Sequence, residues 1–290
     1  MLYLEAFAFP DEDAEHAFFM RHKLNCHTSF YPFQVLAPRG FRRMDFEPIT
    51  VLSGSNGSGK STALNVIAEK LRLRRGCAFN KTDFFQTYVD LCTDYRTCAV
   101  PPQSAVLTSD DVFDYMLDVR TVNDAIDVRR DKVLDEYFSL KSEKYSDFTM
   151  KTMADYDTLK KLNRARSRTV SRFARESLLP NIRTRSNGET ALRFFSERIR
   201  PQGLYLLDEP ENSLSPQKQL ELAAFLEDAA RYDDCQFILS THSVFLLAMK
   251  NAKIYDLDVT PVDVRPWTEL EVSRTYRGFF RKHESEFDEE

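Results

Sequence analysis

Two acidic residues at the end of an apolar run are the strongest candidates for chemistry in this sequence. Leu204 to Leu207 is an apolar run that predicts a buried strand, and Asp208 and Glu209 follow it directly. Open α/β sheets bind ligands at the carboxyl ends of their strands. Two acids at that place suit a magnesium-bound nucleotide: Asp208 would hold the metal through water, and Glu209 would orient and deprotonate an attacking water. A core strand that runs into an acidic turn is the structural alternative.

An earlier glycine-rich segment supplies groups that would bind the phosphates. Residues 54–61, GSNGSGKS, match G-x-x-x-x-G-K-[ST] and lie between a predicted strand and a predicted helix. Glycines let the backbone wrap a phosphate chain, so that its N–H groups and the helix amino terminus can bind it. Lys60 would reach the β- and γ-phosphates, and Ser61 would ligate Mg²⁺. The predicted nucleotide-binding residues here are Gly54, Ser55, Asn56, Gly57, Ser58, Gly59, Lys60, Ser61 and Thr62.

A histidine follows the next predicted strand after the acidic pair. His242 comes directly after QFILST, about thirty residues beyond Glu209. Neighbouring strand ends share one edge of a sheet, which would aim His242 at a γ-phosphate. A lone histidine more often has a structural role, but the phosphate loop favours a functional one. We therefore predict Glu209, His242 and Lys60 as the catalytic residues.

Residues 186–190, SNGET, predict a second helix start that could bind a phosphate. Ser186 predicts an N-cap, and Gly188 and Glu189 open the helix that follows, which is an anion-binding geometry. Because the first site has its own phosphate loop, this second one makes sense if it serves the nucleotide of another molecule. A simple turn is the alternative.

Composition bounds the class of protein. With 290 residues, 42% of them hydrophobic, the chain is long enough for one large domain or two small ones with a real core. It contains no run of about eighteen apolar residues, so we expect no direct membrane insertion. Five cysteines without a C-x-x-C pair argue against a zinc site or a disulfide framework and favour the reducing cytoplasm.

The order of predicted elements is strand-rich, then helical, then α/β again. This order predicts an α/β fold over residues 1–290 as a single domain, with a mixed β-sheet core, an inserted helical lobe at approximately 106–185 and an acidic tail at 284–290. Residues 160–176 carry seven Lys or Arg residues against one acid. That basic run is either a solvated helix face or a surface that contacts the phosphates of DNA or RNA.

The ordered motifs resemble those of the ATP-binding cassette (ABC) ATPases, in which two heads close around two ATP molecules. The resemblance makes residues 54–61 the Walker A loop, Asp208 and Glu209 the Walker B acids, and His242 the switch histidine. It assigns Ser186, Gly188 and Glu189 to the signature that touches the partner head's ATP, and Ser213 to Ser215 to the D-loop. It therefore implies ATP and Mg²⁺ as cofactors, ATP hydrolysis as the activity and an ATP-dependent homodimer.

Departures from the transporter pattern bear on the biological role. Transporter cassettes usually have LSGGQ where this chain has SNGET, and they carry a glutamine between the two motifs. Here Ser109 and Asp110 are weak candidates for that lid-coupling place, and Gln86 is too early. DEPENSLSP and STHS look more like standalone ATPases related to the SMC, RecF and overcoming-lysogenization groups, which implies a switch or clamp in DNA maintenance or phage defence. A transporter motor subunit, or an ATP-sensing scaffold that controls a separate toxin or nuclease, are the alternatives.

The residue that would stack on adenine is left open. Phe30, Tyr31 and Phe33 precede the phosphate loop, and any of them could supply the aromatic ring. Core packing is the more common role of such a cluster.

Overall fold

The computed structural model describes residues 2–21, 29–140, 156–167, 169–170 and 187–287. Contacts divide the chain into two compact units, Met1–Phe113 with Asn187–Glu290, and Asp114–Ser186. The first unit contains two sheets and the helices packed on them.

The main sheet has six strands in the described part of the chain, in the order β5-β6-β7-β3-β8-β9. Their bounds are β3 Ile49–Ser53, β5 Ala105–Thr108, β6 Leu204–Asp208, β7 Gln236–Ser240, β8 Lys253–Asp256 and β9 Asp263–Val264. All pairs are parallel except β8 with β9. The parallel strands β3, β6 and β7 are apolar and almost completely buried, as a sheet covered on both faces requires.

Helices cover this sheet and continue from the strand ends. In the first unit they are α1 Glu12–Arg21, α2 Lys60–Leu71, α3 Phe85–Leu91, α6 Asn187–Arg198, α7 Pro216–Tyr232, α8 Val244–Leu247 and α9 Glu271–Lys282. Helix α2 buries Leu64, Ile67 and Leu71 at helical spacing. Helix α7 has Ser215 as its N-cap and Pro216 at its first position, which agrees with the sequence pattern.

A second, three-stranded antiparallel sheet lies beside the main one, in the order β2-β1-β4. Its strands are β1 Leu4–Ala8, β2 Arg43–Asp45 and β4 Thr93–Arg96. The buried side chain of Gln236 in β7 ties the two sheets together: Oε1 accepts from the N–H of Tyr3 (2.8 Å) and of Leu4 (3.0 Å), and Nε2 donates to the Leu4 carbonyl (2.8 Å). One side chain thus replaces the ladder bonds that would otherwise join the sheets.

The sequence of residues 29–37, SFYPFQVLA, predicts a strand, but the structure differs in this segment between α1 and β2. The described part is a series of turns followed by the 3₁₀ helix Ala37–Arg39. Pro32 and Pro38 have no N–H to donate to a ladder, and the side chains of Phe30, Tyr31 and Phe33 pack into or against the core instead. The strand prediction is wrong there for that reason.

The second unit contains most of helix α4, Ser109–Leu140, and helix α5, Tyr156–Ser167. Tyr137 and Leu140 pack with Leu162 and Ala165 in a small core of its own. The lobe boundaries near 106 and 185 stay a prediction. Strand β5 pairs within the main sheet, and the second unit begins at Asp114.

Two predicted surface segments fall partly outside the described residues. Of the basic run 160–176, residues 160–167, 169 and 170 are described, most of them in α5. Of the acidic tail 284–290, residues 288–290 lie outside, and Glu284–Glu286 is an exposed 3₁₀ helix. Among the described residues, no helix is both long and apolar enough to span a bilayer.

Candidate active site

The loop between β3 and α2 wraps around an open cavity. Gly57 and Gly59 have φ angles of 79° and 101°, which L side chains rarely adopt. A Cβ on Gly59 would also lie 2.9 Å from the Leu36 side chain. The loop therefore needs glycine at these places to turn into the helix, and the N–H groups at the start of α2 face the loop.

The cavity has a volume of about 540 Å³, within the range of about 300–1,000 Å³ typical of small-molecule sites. Most of its lining comes from the glycine-rich loop, with contributions from the segment before the loop and from the residue after β6. The lining residues are Tyr31, Val35, Asn56, Gly57, Ser58, Gly59, Lys60, Ser61, Thr62 and Glu209.

Lys60 is held inside the loop with its ammonium group pointing at carbonyls. Its Nζ donates to the carbonyl of Gly54 (2.7 Å) and to that of Ser55 (3.1 Å). Burial lowers the pKa of Lys60, and the charges of Glu209 and Asp258 oppose that shift. A buried cation at the centre of an N–H-rich loop fits the charge of a bound polyphosphate.

Ser58 provides an independent indication of a ligand. Its Oγ is buried and has no hydrogen-bond partner among the described residues. Because buried hydroxyls almost always have partners, an oxygen of a bound phosphate would fit this position.

Asp208 lies at the end of β6 and contacts helix α2 and the neighbouring strand β7. It accepts a hydrogen bond from Ser61 Oγ at 3.0 Å and another from the Ser240 hydroxyl. Burial raises the pKa of Asp208, and the two hydroxyl groups oppose that shift. No group of three or more His, Cys, Asp or Glu residues forms a metal site in the described ranges. A hydroxyl and a carboxylate fit Mg²⁺, which takes few protein ligands and completes its shell with phosphate and water.

Glu209 and His242 face each other across the ends of β6 and β7. Asp208 pairs with Ser240 in the register, and the Glu209 N–H donates to the Ser240 carbonyl at 3.1 Å. His242 Nε2 lies 3.8 Å from Glu209 Oε1, and about a third of each side chain is exposed. Asn212 Nδ2 donates to Glu209 Oε2 at 3.0 Å. Glu209 thus lines the cavity, whereas His242 contacts Glu209 without being one of the described lining residues.

A family model described as ABC transporter matches residues 44–212, which is more than half of the chain and includes the phosphate loop and both acids. The chain belongs to the ATP-binding cassette (ABC) family. The predicted fold class, a P-loop ABC fold with a mixed sheet, is confirmed. A second family model, described as "AAA domain, putative AbiEii toxin, Type IV TA system", matches residues 179–248.

Solved structures of ABC and SMC heads also match. The Pyrococcus furiosus Smc head, solved with the C-terminal domain of ScpA, shares 14% identity, with 82% of this chain and 95% of that chain covered (TM-score 0.41). The Thermotoga maritima SMC head shares 13%, with 91% and 99% covered (0.39). The cassette MJ0796 with ADP and Pi shares 12%, with 79% and 90% covered (0.36). No curated protein matches the sequence.

Two of the three residues predicted to form the signature, Gly188 and Glu189, are described, and they lie outside the lining of this cavity. Ser186 is outside the described residues, and Gly188 and Glu189 are in the first turn of α6. A Cβ on Gly188 would lie 3.4 Å from the Lys218 side chain of α7. Neither Gly188 nor Glu189 is among the described residues that line the cavity.

Of the three aromatic candidates, only Tyr31 is among the described residues that line this cavity. Its hydroxyl donates to Thr62 Oγ1 at 3.2 Å, and burial raises its pKa. Phe33 is stacked on Phe18 in the core, with 4.5 Å between ring centroids, and Phe30 also packs on core aromatics. The sequence alone could not choose among the three rings, because all precede the loop by similar distances.

Ser109 and Asp110 are the first residues of α4, directly after Thr108, which pairs with Asp208. This places them at the same sheet edge as the Walker B acids. The side chain of Gln86 donates instead to Asp90 in its own helix at 3.0 Å. The lid-coupling role of Ser109 or Asp110 stays a prediction.

Sequence reasoning missed two residues that hold the Walker A loop. Asp258, which follows β8, accepts from the Ser55 N–H (2.8 Å) and the Ser55 hydroxyl (2.6 Å). Arg39 Nη1 donates to the Leu257 carbonyl at 2.8 Å, and its Nη2 lies 3.4 Å from the Gly57 carbonyl. Both are distant in sequence from the loop, and no motif marks them.

Proposed function

We propose that this chain is an ATP-hydrolysing ABC head that binds ATP with Mg²⁺ at the cavity of residues 54–62. One observation carries the proposal: the sheet edge brings Ser61 to 3.0 Å from Asp208 and His242 to 3.8 Å from Glu209, beside the loop that holds Lys60. Phosphoryl transfer depends mainly on such positioning and on charge stabilisation.

Each residue has one role in this scheme. Lys60 binds the β- and γ-phosphates, and Ser61 and Asp208 hold Mg²⁺, which when bound supplies positive charge against the phosphates. Glu209 orients the attacking water and accepts its proton. His242 donates to the γ-phosphate from the adjacent strand end.

The proposed assembly is a homodimer that forms around two ATP molecules. The first turn of α6, with Gly188 and Glu189, would contact the nucleotide of the partner head together with Ser186. This agrees with a signature that does not line its own cavity among the described residues. A helix start is suited to binding an anion such as a phosphate.

Substitution of Glu209 by glutamine tests both parts. Glu209→Gln should reduce ATP hydrolysis at least about 100-fold, because the proton acceptor is lost while ATP binding is kept. Light scattering with saturating ATP and Mg²⁺ should then show twice the monomer mass. Unchanged turnover would refute the catalytic assignment, and a monomer under these conditions would refute the sandwich.

We propose a cytoplasmic switch or clamp in DNA maintenance or phage defence as the biological role. The match of residues 179–248 to a toxin–antitoxin family model and the basic run 160–176 support this role. Charge reversal at Arg164, Arg168 and Arg172 should then abolish stimulation of the ATPase by DNA or RNA. An intact protein that neither nucleic acid stimulates would refute the clamp.

The same family match favours a second role, an ATP-sensing scaffold that controls a separate toxin or nuclease. Identification of proteins that co-purify with Glu209→Gln in ATP would show such an effector. Recovery of a membrane permease instead would indicate the transporter motor.

A further inference from the structure

Two loops carry the proposed catalytic pair, and side chains outside the nucleotide cavity join them. Residues 209–215 follow β6 and begin with Glu209, and residues 241–243 follow β7 and include His242. The imidazole is not fixed by its own Nε2, which is buried and has no hydrogen-bond partner among the described residues. The place of the ring therefore depends on what holds the backbone of residues 241–243.

The first connection is made by Glu211. Its Oε1 accepts the backbone N–H of His242 at 2.6 Å. Burial raises the pKa of Glu211, while the His242 N–H opposes the shift, and the nearby charge of Glu209 adds to it. An acid removed from water destabilises the fold unless hydrogen bonds compensate for its lost hydration. Here one such bond holds the backbone of His242, the residue that faces Glu209.

The second connection is made by Gln219 in the first turns of α7. Its Nε2 donates to the carbonyl of Leu214 at 2.9 Å, and its Oε1 accepts from the Ser243 hydroxyl at 2.7 Å. Ser243 Oγ in turn accepts the N–H of Phe245 at 3.2 Å and caps α8. The side-chain amide of Gln219 thus bonds to loop 209–215 through its nitrogen and to residues 241–243 through its oxygen.

We propose that Glu211 and Gln219 are positioning residues that couple loop 209–215 to the His242 turn and keep the imidazole within reach of the reacting phosphate. A displacement of loop 209–215 then moves His242. The proposal rests on the proposed function, since it assumes that Glu209 and His242 act in ATP hydrolysis.

A double-mutant cycle tests the coupling. Glu211→Ala and Gln219→Ala should each lower kcat about 10- to 100-fold, as loss of a hydrogen bond at a charged or buried site predicts, with KM for ATP changed less than about twofold. In the His242→Ala background, both should have little further effect, because they act through that residue. Gln217→Ala, an exposed glutamine on the same helix, is the matched control and should change nothing.

Two further measurements separate positioning from damage to the fold. Glu211→Gln keeps an acceptor oxygen and should restore most of kcat. The amide ¹H–¹⁵N resonance of His242 should shift upfield in Glu211→Ala and stay in place in Gln217→Ala, which reads the bond even where turnover is too slow to measure.

The outcomes are distinguishable. If Glu209→Gln and His242→Ala leave hydrolysis intact, the proposed function fails. If those two lower it to a rate that can still be measured, but Glu211→Ala and Gln219→Ala keep wild-type kcat or lose the same factor with and without His242, the coupling alone is refuted. An unmoved His242 amide in Glu211→Ala refutes it as well.

Discussion

The Ser61 hydroxyl donates a 3.0 Å hydrogen bond to the carboxylate of Asp208, across 147 residues of sequence. The end of β3, which carries the phosphate loop, and the end of β6 are separated by β7, whose Ser240 hydroxyl also donates to Asp208. Three strand ends thus converge on one carboxylate. The hydroxyl and the carboxylate that we propose as Mg²⁺ ligands are therefore adjacent.

Substitution of Ser61 or Asp208 should raise the Mg²⁺ concentration that ATP hydrolysis requires. Ser61→Ala and Asp208→Asn should each raise the Mg²⁺ concentration for half-maximal ATPase activity about 10-fold or more, because one oxygen ligand or its charge is removed. A magnesium titration at fixed ATP measures this. Ser285→Ala, at an exposed position, is the control. Equal magnesium curves for all variants would contradict the assignment.

Tyr31 should act through its ring rather than its hydroxyl. Tyr31→Ala should raise KM for ATP about 10-fold, since a base–aromatic contact contributes about 1–3 kcal/mol, while Tyr31→Phe should stay within about threefold. Steady-state kinetics with each variant decide this, with Phe30→Leu as a core control. A Phe variant as poor as the Ala variant would assign the role to the bond with Thr62 instead.

Lys60 should lower the melting temperature of the protein when no nucleotide has been added. Its pKa is lowered by burial, which means that the folded protein without a phosphate disfavours the ammonium charge. Lys60→Met should therefore raise the melting temperature of the free protein by about 2 °C, and it should abolish the upward shift that ATP causes. Thermal melts with and without ATP check both. A variant that melts lower, yet still responds to ATP, would contradict the expectation.

Glu15 should make stability fall between mildly acidic and neutral pH. Its side chain is buried, and burial raises its pKa to about 7, with the Gln34 N–H at 2.9 Å opposing and Glu12 adding to the shift. Tyr88, also buried, interacts with it from α3. Because the folded pKa lies above the unfolded one, the folded state binds the proton more tightly, and stability is lost as pH rises through about 5 to 7.

Glu15→Gln removes this titration. We expect it to stabilise the protein at pH 8 by up to about 3 kcal/mol and to have little effect at pH 5, where Glu15 is protonated in the fold. Urea unfolding at both pH values measures the difference. The exposed Asp13→Asn, on the same helix, is the control, and a Glu15 variant that is destabilised equally at both pH values would contradict the assignment.

The main sheet could be predicted from sequence because its strands are continuous apolar runs that end in motifs. β3, β6 and β7 are such runs. The segment AVLTSDDV likewise predicts a short strand, which is β5, and a helix that begins at Ser109, which is α4. The phosphate loop, Asp208, Glu209 and His242 follow from the same rule, since each comes directly after a strand. Order along the chain was enough to place them at one edge.

Features that depend on distant partners could not be predicted. β4 has one partly buried residue among four and gave no periodic signal, so its pairing with β1 was missed. Asp258 and Arg39 hold the phosphate loop only because the fold places β8 and the 3₁₀ helix next to it. Tyr31 lines the cavity while Phe33 packs in the core, and tertiary packing decides the direction of each ring.

The strand order has a consequence for how this chain is made. β3 pairs with β7 on one side and β8 on the other, so both of its described neighbours are synthesised almost two hundred residues after it. On a ribosome, the segment 49–53 therefore leaves the exit tunnel as an apolar strand without either partner; β7 becomes available once residue 240 has emerged, and β8 once residue 256 has emerged. The hydrogen bonds from Ser55 to Asp258 also form only after β8 has been made. The interval before closure is the period in which this chain is most exposed to aggregation and most dependent on chaperones.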